Sequence, residues 1–146
     1  PVCIVSGKRN NNRYAITVSS VTSVSLDPES LLVCINSGAS IKEALFIGAK
    51  LNINFLSPEQ KEVASLCSTK GSANKRFDND LWTYDIDDNP FLKHSNAVAF
   101  STVVNIVNHT THIIVIVSVD KVILNDRAQP DPLLYGNGSY LNIGGN

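Results

Sequence analysis

Apolar and polar positions along the chain follow two rhythms, and the strand rhythm dominates. Pro1–Ser6, PVCIVS, reads as a strand. Gly7–Arg13, with three consecutive asparagines, reads as a polar hairpin loop leading to a second strand over Tyr14–Ser20. Leu26-Asp27-Pro28-Glu29 carries turn chemistry, and the apolar run Leu31–Ile35 has the length of a buried strand. LNINFL, Leu51–Leu56, alternates apolar residues with asparagine, as a half-buried strand does. Long strands are predicted over Asn96–Val107 and His112–Leu124, and YGNGSY within Pro130–Tyr140 predicts a closing hairpin. The helical rhythm appears twice. Ser40-Ile41-Lys42-Glu43 is a capping box that predicts a helix through Ala49, with Gly48 near its end. Ser57-Pro58-Glu59-Gln60 is a second box with proline at the first helical position. Its helix should run to Cys67 and present Val63, Ala64 and Cys67 on one face. Ser68–Asp80 is polar and predicted irregular.

Strands, two helices, then strands again do not sustain βαβ alternation. The order predicts a mainly β fold, an antiparallel barrel with short flanking helices, as a single domain over residues 1–146 without repeat or linker. The stretch IIVIVSV in the last long strand is apolar on both faces. One face should fill the barrel, and the other needs a cover, which is assigned to a second subunit.

Composition narrows the function classes. Hydrophobic residues make up 43% and charged residues 17%, a globular balance. The formal net charge is -1 and the basic residues are scattered, which excludes a nucleic-acid backbone binder. No apolar run approaches the roughly 20 residues of a membrane span. No signal peptide is recognisable, and the chain starts at Pro1 with no methionine, which reads as a processed or trimmed start. Cys3, Cys34 and Cys67 are odd in number, far apart and set in apolar segments. That is the usage of buried, reduced thiols, and the expected location is cytoplasmic. The sequons at Asn108 and Asn137 are read as chance.

Candidate chemistry concentrates between Ala15 and Ser40. The loop Asn36-Ser37-Gly38-Ala39-Ser40 follows a buried strand and opens the first capped helix. Free N–H groups at such a helix start attract an anion, small residues let a phosphate approach, and Lys42 stands nearby. A plain strand-to-helix turn with Ser40 as cap accounts for the same residues, and caps are commoner than phosphate sites. Before it, hydroxyls at Thr17, Ser19, Ser23 and Ser25 fall on one face if the strand stays regular. Backbone groups beside hydroxyls match the polar edge of a flavin ring, and equally the polar face of an ordinary barrel. His109 and His112 differ by three and would face opposite sides of one strand, so no metal site is expected. His112 stands where a strand begins, a place for a donor at a pocket rim. Asp85, Asp87 and Asp88 read as a solvated acidic loop. No Walker-type loop, nucleophile elbow or Cys-x-x-Cys is present, and Gly136-Asn137-Gly138-Ser139-Tyr140-Leu141 does not open a βαβ unit.

Six segments in order, AITVSSVTSVSLDP, LLVCINSGAS, LNINFLSPEQ, KRF, THIIVIVSVDKVIL and DPLLYGNGSY, resemble the flavin reductase-like FMN-binding split-barrel family. These are the short-chain reductase components of two-component monooxygenases, among which the 4-hydroxyphenylacetate monooxygenase reductase is especially similar around Thr111-His112. The resemblance implies an antiparallel split β-barrel, a homodimer, FMN or FAD as flavin, and NADH or NADPH as co-substrate. It implies that Thr17, Val18, Ser19 and Ser20, with Ser25, line the isoalloxazine. Asn36, Ser37, Gly38, Ala39 and Ser40 would hold the ribityl phosphate, with Arg76 and Phe77 completing the site. His112, Tyr135 and Tyr140 would meet the nicotinamide. The family's Gly-Asp-His reads Thr110-Thr111-His112 here, and Ser139-Tyr140-Leu141 replaces a segment that usually carries a basic residue and a histidine.

The implied activity is NAD(P)H:flavin oxidoreduction with no catalytic side chain, supplying reduced flavin to a monooxygenase. The cofactors carry the electronic chemistry and the protein supplies alignment. The rival expectations are a non-enzymatic FMN carrier or sensor, a dimeric barrel with a vestigial pocket, and a reductase of metal complexes working through bound flavin.

Overall fold

The computed structural model describes residues 1–127 and 129–143. Ala128 and residues 144–146 of the expected domain lie outside the described residues. The chain opens with the hairpin β1 (Cys3–Arg9) and β2 (Asn12–Val18). The loop expected over Gly7–Arg13 shrinks to Asn10-Asn11, because Asn10 takes a φ of 55°, a left-handed conformation asparagine tolerates in tight hairpin turns. β3 (Thr22–Leu26) and β4 (Glu29–Asn36) form the next hairpin, followed by β5 (Lys50–Phe55). A helix α1 (Lys61–Ser68) and a small hairpin of β6 (Trp82–Tyr84) with β7 (Pro90–Leu92) precede the long pair β8 (Ala97–His109) and β9 (His112–Leu124). A last hairpin joins β10 (Leu134–Gly136) and β11 (Ser139–Leu141).

Seven strands make one antiparallel sheet in the order β2-β1-β5-β8-β9-β4-β3. Its ends do not join by a ladder among the described residues. They meet instead through Ser20, whose hydroxyl donates to the Cys34 carbonyl at 2.9 Å and accepts the Cys34 N–H at 3.2 Å. One side chain thus closes a barrel that is otherwise split along β2.

Alternation along β1 builds two cores. Cys3 and Val5 point into the barrel with Val33, Ile35, Leu51, Ile53, Val115 and Val117. Val2 and Ile4 point outward into a second cluster with Val63, Ala64, Cys67, Trp82, Leu92 and Leu133. Cys3, Ile4 and Val5 are each 0% exposed, so β1 is buried on both faces. The α1 start follows the second capping box: the Gln60 side-chain oxygen accepts the Ser57 N–H at 3.1 Å, and Val63, Ala64 and Cys67 are buried as the spacing predicts. The chain end is tied in by backbone bonds, Val2 N–H to Leu133 C=O at 2.7 Å and Leu133 N–H to Leu56 C=O at 2.9 Å. No helix among the described residues is long and apolar enough to cross a membrane.

Three expectations are corrected. The helix predicted from Ser40 to Ala49 is a single 3₁₀ turn over Ser40–Ala44, entered from Ala39 without a side-chain cap. Only Ile41 and Ala44 in it are buried, a spacing of three that matches the 3₁₀ period and plugs the barrel. The hydroxyl strand does not run on from Thr17 to Ser25. β2 stops at Val18, the chain bends at Ser19, and the β3–β4 register shifts between Ser23 and Ser25. His109 and His112 do not share a strand; they face each other across the β8–β9 turn at Thr110-Thr111.

Replacing Ser20 with alanine leaves both Cys34 backbone groups without their partner. Urea unfolding should show a loss of about 1–2 kcal/mol. A stability unchanged by Ser20→Ala would remove the closure role. The two buried thiols predict alkaline lability. Burial pushes Cys3 and Cys67 from 9.0 up to about 12. A thiol raised in the folded state lends its full stability below pH 9.0 and loses it as pH climbs toward about 12. Thermal melts should therefore decline above pH 9.0, and Cys67→Ala should flatten part of that decline.

Candidate functional site

Two clefts flank the second half of β2 and meet at Ser68 of α1. The smaller, about 340 Å³, lies between Thr17, Val18 and Ser19 at the end of β2, Ser65 and Ser68 on α1, and Tyr135 and Tyr140 on the last hairpin. The tyrosines are brought together by the Asn137-Gly138 turn, where φ is 49° and 76°, so that Tyr135 and Tyr140 sit opposite in register. Their rings meet edge to face at 5.3 Å. No charged side chain lines this cleft.

The larger cleft, about 580 Å³, runs from Ile16 to the loop of Asn36, Gly38, Ala39 and Ser40 on one side and to Lys70, Gly71, Ala73 and Arg76 on the other. It holds two cations and no carboxylate, on a chain whose formal charge is -1. Its loop is internally bonded. The Asn36 side-chain oxygen accepts the Gly38 N–H at 2.8 Å, and the Asn36 carbonyl accepts the Ala39 N–H at 2.9 Å. The Ser37 N–H and hydroxyl both donate to the Thr111 carbonyl, at 3.0 and 2.9 Å. Gly38 keeps the turn tight, since a Cβ there would lie 3.3 Å from the Asn36 oxygen. The N–H groups of Ser37, Gly38 and Ala39 are therefore spent, and those of Ser40 and Ile41 have no acceptor among the described residues.

The sequence-derived residues divide accordingly. Thr17, Val18 and Ser19 line the smaller cleft, but the Thr17 hydroxyl donates to the Ala64 carbonyl of α1 at 2.6 Å and the Val18 side chain is buried in the barrel. Those two offer backbone and shape, and Ser19 offers a hydroxyl. Ser20 closes the barrel and lines neither cleft. Ser25 accepts the Asp27 N–H at 3.2 Å in the β3–β4 turn, away from both. Asn36, Gly38, Ala39, Ser40 and Arg76 come together in the larger cleft, whereas Ser37 is turned to Thr111 and Lys42 is not in the lining. Phe77 packs on Trp82 with ring centroids 4.7 Å apart, in the second core. Tyr135 and Tyr140 line the smaller cleft. His112 pairs with Asn36 in the β4–β9 ladder, its Nδ1 is 2.9 Å from the Thr111 hydroxyl, and it lines neither cleft. Among the described residues no group of three or more His, Cys, Asp or Glu could hold a metal.

Sequence reasoning missed Ser65, Ser68 and Lys70. The signal was available in SLCSTKG: serines three apart fall on one helix face, beside a lysine just past the helix end.

Comparison with known proteins places the chain. The flavin reductase like domain family matches residues 1–144. The reductase component of an FADH(2)-dependent resorcinol hydroxylase from Rhizobium sp. (strain MTP-10005) is 31% identical over 87% of this chain and 70% of its own length. The FMN reductase (NADH) RutF of Bradyrhizobium diazoefficiens is 29% identical over 98% of this chain and 78% of its own. The solved structure of BorF, the flavin reductase component of a bacterial two-component tryptophan halogenase, superposes with a TM-score of 0.84 at 25% identity, covering 97% of this chain and 88% of that one. With the match spanning both the barrel and the two clefts beside β2, the chain belongs to the flavin reductase like domain family.

Proposed function

We propose that the chain is an NAD(P)H:flavin oxidoreductase that reduces FMN or FAD and hands the reduced flavin to a partner monooxygenase. The observation that carries this reading is the partition of charge along one groove: an uncharged aromatic end joined at Ser68 to an end with two cations and no carboxylate. A flavin nucleotide has the same division, a planar ring and an anionic phosphate. A bound flavin would supply the hydride-accepting chemistry, with reduced nicotinamide as the donor. The chain's part is orientation. The β2 end offers backbone groups at Thr17 and Val18 and a hydroxyl at Ser19, and Ser65 adds a second hydroxyl from α1. Tyr135 and Tyr140 wall the smaller cleft, where a nicotinamide would lie against the flavin. The names of the Rhizobium and Bradyrhizobium relatives support the activity and the partner class. A cytoplasmic location agrees with the odd, unpaired cysteines.

The working unit is proposed to be a homodimer. Ile113, Val115 and Val117 of β9 are buried in the barrel, which turns Ile114 and Ile116 outward. There they align with Leu32 on β4 and Val107 on β8, and Val107 is 46% exposed. This apolar sheet face supports a second copy as its cover.

Adding FMN anaerobically and then NADH tests the activity. The flavin absorbance should bleach with NADH consumption that scales with flavin. Tight FMN binding without NADH turnover would replace this reading with the carrier. Sedimentation should give twice the 15.8 kDa chain mass, and Ile116→Glu should return it to one. A monomeric parent protein would overturn the dimer.

A further inference from the structure

We infer that Lys70, and not Arg76, is the cation that selects a phosphorylated flavin, and that Arg76 is the positioning residue holding the wall on which Lys70 stands. The assignment rests on the flavin reading of the groove and adds a division of labour within its charged end. Arg76 is already committed on three nitrogens. Its Nη1 donates to the Ala15 carbonyl of β2 at 2.5 Å, its Nε to the Ser72 hydroxyl at 3.1 Å and its Nη2 to the Thr69 carbonyl at 3.1 Å. Its own carbonyl accepts the Trp82 indole N–H at 2.8 Å and an Asn79 side-chain N–H at 3.2 Å. Ser72, 7% exposed, shares its one hydroxyl proton between the Leu66 and Thr69 carbonyls, at 2.7 and 2.6 Å. Three of the five guanidinium N–H groups are thus bonded within the protein, and because they reach Ala15 on one side and Thr69 and Ser72 on the other, the fork is used as a bracket between β2 and the end of α1.

Lys70 is the complement. Its neighbour Thr69 is gripped by Arg76 and Ser72, and Gly71 at a φ of 78° turns the chain back immediately after it. Its base is therefore fixed. Its side chain lines the cleft, is exposed, and has no hydrogen-bond or ion-pair partner among the described residues. An ammonium with three free donors on a flexible stem suits a phosphate whose position the ring end of the groove sets. No carboxylate in the lining competes for it.

Fluorescence titration of the whole chain with FMN and with riboflavin, which lacks the phosphate, tests the assignment. Lys70→Gln should weaken FMN by about tenfold, the worth of one charge-assisted hydrogen bond, with riboflavin changed by less than about twofold. It should also flatten the salt dependence of FMN binding. Arg76→Gln should weaken both flavins by the same factor and keep their ratio. Lys70→Gln with an unchanged FMN-to-riboflavin ratio, or Arg76→Gln that loses FMN selectively, overturns the assignment while flavin binding itself stands. Parent protein that binds neither flavin overturns the reading of the groove, and this inference with it. An Arg76→Gln chain that cannot fold supports the bracket in its strongest form, and Lys70→Gln, on an exposed and unpartnered residue, still decides which cation meets the phosphate.

Discussion

The two-sided burial of β1 is the constraint on which the molecule outside the barrel depends. A barrel strand needs only one apolar face, yet Val2 and Ile4 are as buried on the outside as Cys3 and Val5 are within. Each such outer side chain is worth about 1.5–3 kcal/mol when fully removed from water. The elements it collects could not stand alone. An eight-residue helix is far below the length at which an isolated helix is stable, and a hairpin of two three-residue strands is weaker still. Val63, Ala64, Cys67 and Leu133 dock on that face. The residues beside them in sequence, Ser65, Ser68 and Tyr135 to Tyr140, then have nowhere to go but the edge of β2. The cleft is a consequence of apolar packing before it is an arrangement of polar groups.

Polar groups near the site are mostly consumed by the fold. Thr17 serves α1, Ser20 closes the barrel, Ser37 holds the β8–β9 turn, and Arg76 braces the wall. What remains open to a ligand is a sparse set that includes hydroxyls at Ser19 and Ser65, backbone groups at the β2 end, two backbone N–H groups at Ser40 and Ile41, and the Lys70 ammonium. Sparse donors suit a reaction in which the bound cofactors exchange a hydride directly, because the protein need only align two planar rings and exclude water. No proton has to be taken from or given to a poised side chain.

The same economy explains what could be read in the sequence. Alternation marked LNINFL as β5, and the asparagines there proved to be buried bonds: Asn54 accepts the Leu92 N–H at 2.8 Å and donates to the Ile4 carbonyl at 2.8 Å, which pins the β6–β7 hairpin to the barrel. The capping box at Ser57 was legible because proline and a three-residue apolar stripe follow it. The Ser-x-x-Glu signal at Ser40 misled, because the chain leaves the helical region at Leu45, with φ -97° and ψ 109°, and Leu45 and Ala49 reach the core from non-helical chain. The hydroxyl run from Thr17 to Ser25 marked a strand end that borders the smaller cleft, but local spacing does not show that Ser20 will meet Cys34, fourteen residues away. Lys70 was passed over for a related reason. A lone lysine after a helix is ordinary until the fold sets it in a cleft free of carboxylates.

The loop at the cationic end and the apolar sheet face share a support, which joins the proposed assembly to the proposed site. Asn36 ends β4 and pairs with His112 at the start of β9, and Ser37 bonds twice to Thr111 in the turn between β8 and β9. Two to four residues further along β4 and β9 from that point lie the outward Leu32, Ile114 and Ile116. A second copy pressed on that face would stiffen β4 and β9 together, and those strands, with the Ile41 and Ala44 plug in the barrel, hold the turn that carries Asn36, Gly38 and Ala39. Order gained at the interface would thus be order gained at the cleft, and the flavin would meet a loop whose conformational cost had been met during assembly.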